Sequence, residues 1–486
     1  MYGNDLRPEP PCVGYEGIPR RRSVREGYEG NPRRQAARES PARTYARALP
    51  IVPVRARGLT VEGADGRRYL DCASGGGTLA PGHNHPVVLE AIRTVLDSDA
   101  PLHTPDLATP VRDAFVAELF RTLPPGFGDH ARVQFCGPTA TEAVEAEFRL
   151  VRAVTRRTDI LALTDAHPGM TTSTLDVSGD DPDVRDGRLP SPQDHRRPYG
   201  NGPDKFEHGL DDPNSAMPNP AGVLLEPVQG GGVIPAPDDW MRHIRQVTAT
   251  RSIPLIADET ETGIGRTGAF WAVEHSGVAP DVMVLSNAIS GSLPLAVVVH
   301  RDDLEVHQLD APTDAFRANQ LALAAGAAIL AHVRKHDLAG RAAGIATRML
   351  AQLRGMVDEF ACVGDVRGRG LMIGVEFVTE EEGAARGVGD GRRGSDLGAM
   401  RRPVDGARPA APGLAAAVEQ ECLRRGLIVE LGGRHTRVAR LLPPLTISDE
   451  QTTAALGRLS DAVEAVARGQ TDVGSGRTGC RSEWAG

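Results

Sequence analysis

Short apolar runs punctuate the middle of the chain, at residues 221–225, 253–257 and 282–285. Helical runs separate them, and this alternation is the βα rhythm of a mainly parallel sheet. One helical run covers 142–152, where Val144, Phe148 and Val151 recur at helical spacing. Thr139 with Glu142 forms a capping box that starts this helix. A second helical run covers 321–336. The fold class expected is α/β, with a mainly parallel sheet in a large domain and a smaller α+β domain beside it.

Composition bounds that picture. The 486 residues suffice for one large and one small domain. Residues 1–32 are rich in Pro, Gly and Arg and carry most of a short imperfect repeat, Tyr15-Glu-Gly-Ile-Pro-Arg-Arg-Arg22 against Tyr28-Glu-Gly-Asn-Pro-Arg-Arg34. Disorder is expected there, with either a duplicated start or an Arg-rich docking tail as its meaning. Residues 379–412 read as a polar loop and 469–486 as a flexible Gly/Ser-rich tail. Net charge is −9 and aromatics are 4%. That balance argues against nucleic acid as a partner. Six cysteines, Cys12, Cys72, Cys136, Cys362, Cys422 and Cys480, show no paired spacing, so buried thiols in a reducing cytoplasm are expected rather than a metal site. No apolar run approaches the roughly 20 residues that cross a bilayer, and no apolar core of a secretory signal is present near the start.

The chemistry is concentrated in Pro254-Leu-Ile-Ala-Asp-Glu-Thr-Glu-Thr-Gly-Ile-Gly-Arg-Thr-Gly268 and Val284-Leu-Ser-Asn-Ala-Ile-Ser-Gly-Ser-Leu-Pro294. Gly137-Pro-Thr-Ala-Thr141 and Arg424-Arg-Gly-Leu-Ile-Val-Glu430 stand before and after them. Together these strings resemble the class III pyridoxal-phosphate (PLP) aminotransferases, and within them the diaminobutyrate–2-oxoglutarate aminotransferases. The likeness continues through Gly66-Arg-Arg-Tyr-Leu-Asp71, Arg367-Gly-Arg-Gly-Leu-Met-Ile-Gly-Val-Glu376 and Val438-Ala-Arg-Leu-Leu-Pro-Pro-Leu445, and covers about nine-tenths of the chain. It implies the PLP-dependent transferase fold of type I. A large domain would span 90–330 and a small domain 45–89 plus 331–468, after a leader of 1–44. It also implies a dimer with the site at its interface, either of identical chains or with an active paralogue. The family moves the amino group of glutamate onto aspartate semialdehyde, giving 2,4-diaminobutyrate and 2-oxoglutarate.

By that resemblance Thr139, Ala140 and Thr141 form the phosphate cup, and His167 takes the place of the aromatic residue that stacks on the ring. Asp258 meets the pyridine nitrogen, and Glu261 stands near the phenolic oxygen. Glu226 and Arg440 fall at substrate positions, Arg440 as the grip on a carboxylate. Asn287 occupies the position of the lysine that holds the cofactor as a Schiff base. A carboxamide forms no imine, and arginine, always protonated, does not replace the amine. The chain has two lysines, Lys205 and Lys335, both in polar surroundings. Pro168, Asp314 and Ala315 also depart from the pattern. The expectation is a catalytically impaired or silent homologue acting as a binding or regulatory subunit, with PLP held non-covalently at best. Two alternatives stay open: altered chemistry using His167, Asp258 or Glu261 as acid or base, and a transaminase working by an unconventional route.

Overall fold

The structure is a computed structural model that describes residues 49, 51–104, 106–163, 169, 171, 188–189, 207–208, 210–211, 219–305, 317–379 and 409–475. Two compact units divide the chain: Met1–Ala56 with Val61–Tyr69, and Arg57–Thr60 with Leu70–Gly486. In the first, a tight turn closes where the Gly63 N–H donates to the Arg67 carbonyl at 2.9 Å and Asp65 Oδ1 accepts from the Arg67 N–H at 3.0 Å. Gly66, at φ +80°, takes the left-handed position of that turn.

The second unit is built on a seven-stranded sheet. Its strands are β1 (Ala131–Phe135), β2 (Ile160–Leu163), β3 (Arg188–Leu189), β4 (Gly222–Leu225), β5 (Leu255–Asp258), β6 (Val282–Leu285) and β7 (Val297–Arg301), in the order β1-β7-β6-β5-β4-β2-β3. β4, β5 and β6 run parallel, and β7 is antiparallel to both of its neighbours. All residues of β4, β5 and β6 are buried, which is why these strands read as continuous apolar runs rather than alternating ones. The mainly parallel α/β sheet expected from the sequence is therefore present.

Strand edges differ slightly from the apolar runs. β5 begins at Leu255 rather than at 253, because Pro254 has no N–H to give the ladder. β5 also extends one step to include Asp258, paired in register with Val284. Ahead of β6, Asp281 accepts from Arg245 and Arg301 and from the Leu255 N–H at 2.8 Å, so one carboxylate ties together the starts of β5 and β6 and the end of β7.

Helix α1 (Ala140–Thr155) follows β1 and buries Val144, Glu147, Phe148 and Val151. Helix α2 (Asp238–Thr250) precedes β5 and buries Trp240, Ile244 and Val247. Helix α3 (Gln320–Lys335) matches the second helical run closely, starting where the Asn319 side chain accepts from the Leu321 and Ala322 N–H groups. A separate antiparallel sheet holds β8 (Val363–Arg369), β9 (Met372–Phe377), β10 (Glu430–Gly432) and β11 (Val438–Leu441), in the order β8-β9-β11-β10. Helix α4 (Asp449–Ser475) runs into the stretch expected to be a flexible tail from 469. Once its earlier turns are docked, each further residue adds a hydrogen bond without a new nucleus. The expected leader 1–44 lies outside the described residues, as do residues 380–408 of the loop expected over 379–412, whose last residue, Pro412, instead opens a helix, Pro412–Arg424. Among the described residues no helix is long and apolar enough to cross a membrane.

Candidate active site

The N-terminus of α1 is held by its own side chains. The Thr139 N–H and hydroxyl both donate to Glu142 Oε2 at 2.8 Å, and the Glu142 N–H donates back to Thr139 Oγ1 at 3.4 Å. This is the capping box read from the sequence. Its carboxylate lies so close to Gly137 that a Cβ there would collide with Glu142 Cδ. A helix N-terminus ordinarily favours an anion; here Glu142 already supplies one. Ala140 is the first helical residue. Thr141 lies against Gly169, where a Cβ would stand 2.7 Å from Thr141 Oγ1.

Asp258 ends β5, as its place in the sequence implied. It is buried, its Oδ1 accepts from the Thr260 N–H at 2.9 Å, and burial, with Glu261 adding to it, pushes its carboxyl up to about 6. Beside it Glu259 is buried as well and is pushed up to about 7, again by burial, while it accepts from the Val273 N–H at 2.9 Å. On α1, Glu147 is wholly buried with neither carboxylate oxygen hydrogen-bonded; burial first, then Asp258, raises it well above the ordinary range.

β6 ends at Leu285. Ser286 Oγ donates to the Leu295 carbonyl at 3.0 Å, and Asn287 opens a short 3₁₀ turn, Asn287–Ser290, at φ +47°. Asparagine is among the few residues that adopt this left-handed conformation readily. Its side chain offers an amide with donor and acceptor ends but no nucleophilic amine. Lys335 ends α3 as an exposed residue in a basic last turn, a favourable place for a cation at a helix C-terminus.

Arg440 lies in β11 and is 6% exposed. Its Nη2 donates to Glu261 Oε2 at 2.5 Å, and Nη1 stands 3.4 Å from Glu430 Oε2. Glu430 is its cross-strand partner in β10. Burial opposes the guanidinium charge, but Glu261, Glu430 and Glu226 outweigh it and hold the group above its ordinary value. Glu226 accepts from the Gly230 N–H at 2.6 Å, and a Cβ on Gly230 would meet Glu261 Oε2 at 2.5 Å. Glycine at 230 is thus what lets the Glu226 and Glu261 carboxylates approach the same point. Arg440 as found is already engaged by carboxylates, so an anionic ligand meets a guanidinium that is largely neutralised.

The structure therefore brings Glu226, Glu261 and Arg440 together, connects Asp258 to them through Glu261, and sets Thr139, Ala140 and Thr141 at the start of α1. His167, Pro168, Lys205, Asp314 and Ala315 lie outside the described residues. Sequence reasoning missed Glu147 and Glu430. A signal for Glu147 existed: it stands three residues after Val144 and four before Val151, a charged residue within the apolar stripe. Glu430 was readable only from the pairing of β10 with β11. Cys72, Cys136, Cys362 and Cys422 are buried, and among the described residues no cluster could hold a metal ion.

A type I transferase sheet, with an acid at the end of β5 and a turn opening directly after β6, defines the class. The chain belongs to the class-III aminotransferases, whose family pattern matches residues 42–463. It is 43% identical over 447 residues to the diaminobutyrate–2-oxoglutarate aminotransferase of Rhizobium meliloti (strain 1021), covering 88% of this chain and 91% of that protein. It is 37% identical over 444 residues to the enzyme of the same name from Haemophilus influenzae, covering 87% and 93%. Among solved structures, an amine transaminase from an uncultivated Pseudomonas species, in its PLP-bound internal aldimine form, superposes with a TM-score of 0.73 at 26% identity, covering 88% and 98%.

PLP is the cofactor this family implies, and the residues accommodate it unevenly. Asp258 suits a protonated ring nitrogen, since a cation beside a buried carboxyl favours its ionised form. The Glu142 carboxylate closes the start of α1, and Asn287 is a carboxamide without a nucleophilic amine.

Proposed function

We propose that this chain is a catalytically impaired homologue of the diaminobutyrate–2-oxoglutarate aminotransferases that serves as a binding or regulatory subunit. Asn287 carries the reading: in the place assigned to the Schiff-base lysine stands a side chain unable to form an imine or to shuttle a proton at neutral pH. The occupied start of α1 and the carboxylates around Arg440 support it, because each lowers the site's affinity for anionic ligands. On this reading the chain has a large domain over 90–330 and a small one from 45–89 plus 331–468. It pairs with a second copy or with an active paralogue, and binds small amino or oxo acids, with any PLP held non-covalently.

The test is to mix the purified chain with PLP, reduce with borohydride, and look for a covalent adduct by mass spectrometry. No adduct is expected. An adduct on Lys205 or Lys335, together with turnover of amino donors, overturns the proposal. Asn287→Lys restores an amine, and it is expected to recover little transamination because Glu142 and Glu261 remain. Robust recovery would show that the lost lysine alone silences the site.

A further inference from the structure

The stem of Arg440 reaches the acids through a slot made by glycines. Gly432 ends β10, two residues along from Glu430, the cross-strand partner of Arg440, and so lies on the same face. A Cβ on Gly432 would stand 2.5 Å from Arg440 Cδ and 2.5 Å from the Gly231 carbonyl oxygen. Carbon atoms keep about 3.5–4.0 Å between them, so the bare Cα of Gly432 is what admits both neighbours. Gly432 does not take a left-handed φ. Its backbone suits any residue, and the space beside it alone requires glycine. No hydrogen bond fixes the stem, since Arg440 Nε is buried without a partner. The opposite wall of the slot is anchored. Next to Gly231, the Gly232 carbonyl accepts from Arg367 Nε at 2.9 Å, and Arg367 is held in turn by Asp365 at 2.9 Å and by Glu376. A side chain at 432 would thus press on a backbone carbonyl tied down by Arg367 and on the middle of a flexible side chain. Arg440 is the part that yields.

We propose that Gly432 is the positioning residue for Arg440: its missing side chain aims the guanidinium at Glu261 and Glu430, and so fixes where the negative group of a ligand is met. This rests on the reading of Arg440 as the grip on a carboxylate. The slot holds the stem, and the ion pairs form because the stem lies there. A methyl group at 432 turns the stem into another rotamer, out of line with both acids.

Labelling of arginines by phenylglyoxal in the full chain, without added ligand and read peptide by peptide in the mass spectrometer, tests the assignment. Arg440 is 6% exposed and is expected to react slowly in the wild type. In Gly432→Ala it is expected to react about tenfold faster, the scale on which contacting residues are coupled. Arg266 is the internal control: it is 1% exposed, donates to the Leu371 and Pro443 carbonyls, and is expected to keep its rate. In Glu261→Gln the slot is intact, and Arg440 is expected to stay as slow as in the wild type. An unchanged Arg440 rate in Gly432→Ala overturns the proposal, as does an equal rise at Arg440 and Arg266, which is loosening of the whole fold. Fast labelling of Arg440 in Glu261→Gln also overturns it, because the ion pair would then be what holds the stem. That variant decides the matter if Gly432→Ala does not fold. Because no ligand is present, failure of the functional reading would leave this result untouched.

Discussion

Raising the pH from 4 to 8 is expected to weaken the fold, and Asp258→Asn to remove a defined part of that loss. Burial pushes Asp258 up from 3.8 to about 6 and Glu259 up from 4.5 to about 7. Between those limits the native state binds more protons than the unfolded chain, so stability falls with pH. The contribution is fully present below about 4 and is lost as pH rises through 6 and 7. At about 1.4 kcal/mol per pKa unit, Asp258 accounts for about 3 kcal/mol of loss and Glu259 for about as much again. Together they rival the lower end of the roughly 5–15 kcal/mol that ordinarily separates native from unfolded states. Asn at 258 keeps an oxygen for the Thr260 N–H and removes the titration. The variant should therefore gain about 3 kcal/mol over the wild type at pH 8 and almost nothing near pH 4. Urea midpoints at a series of pH values, with the m-value unchanged, give the comparison directly. A variant no more stable than the wild type at pH 8, or a gain equal at both ends, would mean that burial does not hold Asp258 protonated.

Two further outcomes follow from the same geometry. Arg440→Met strips the counter-ion from Glu261 and Glu430 and is expected to cost about 2–3 kcal/mol in urea unfolding, less than a wholly buried pair because both acids keep some contact with water. Thr139→Ala removes the cap of α1 and is expected to cost about 1 kcal/mol in thermal unfolding; an unchanged melting temperature would mean that Glu142 does not close this terminus in solution.

The fold was legible where local chemistry and burial agree. Apolar runs marked β4, β5 and β6 because both faces of those strands are covered, and Thr139 with Glu142 marked the start of α1 because a capping box is a local device. Asp258 was legible for the same reason, standing where an apolar run meets a polar turn. What escaped was set by distance along the chain. Glu430 meets Arg440 only through the pairing of β10 with β11, and Glu261 reaches the same guanidinium from a loop after β5. Neither pairing leaves a periodic trace in the sequence.

Glu147 is a mixed case: its anomaly was visible as a charge within an apolar stripe, while its lack of any hydrogen-bond partner shows only in the packed structure. The other carboxylates bear on the site itself. At 287 stands a carboxamide, a group without a nucleophilic amine. Glu142 over the start of α1, and Glu261 and Glu430 on Arg440, set carboxylates against both of the site's positive ends. Glu142 lies where a helix N-terminus would favour an anion, and Glu261 and Glu430 already engage the cation that would receive one. Arg440, with its Nη groups on Glu261 and Glu430, is a cation that an anionic ligand reaches only by displacing those carboxylates, and displacement leaves two partly buried acids without their counter-ion.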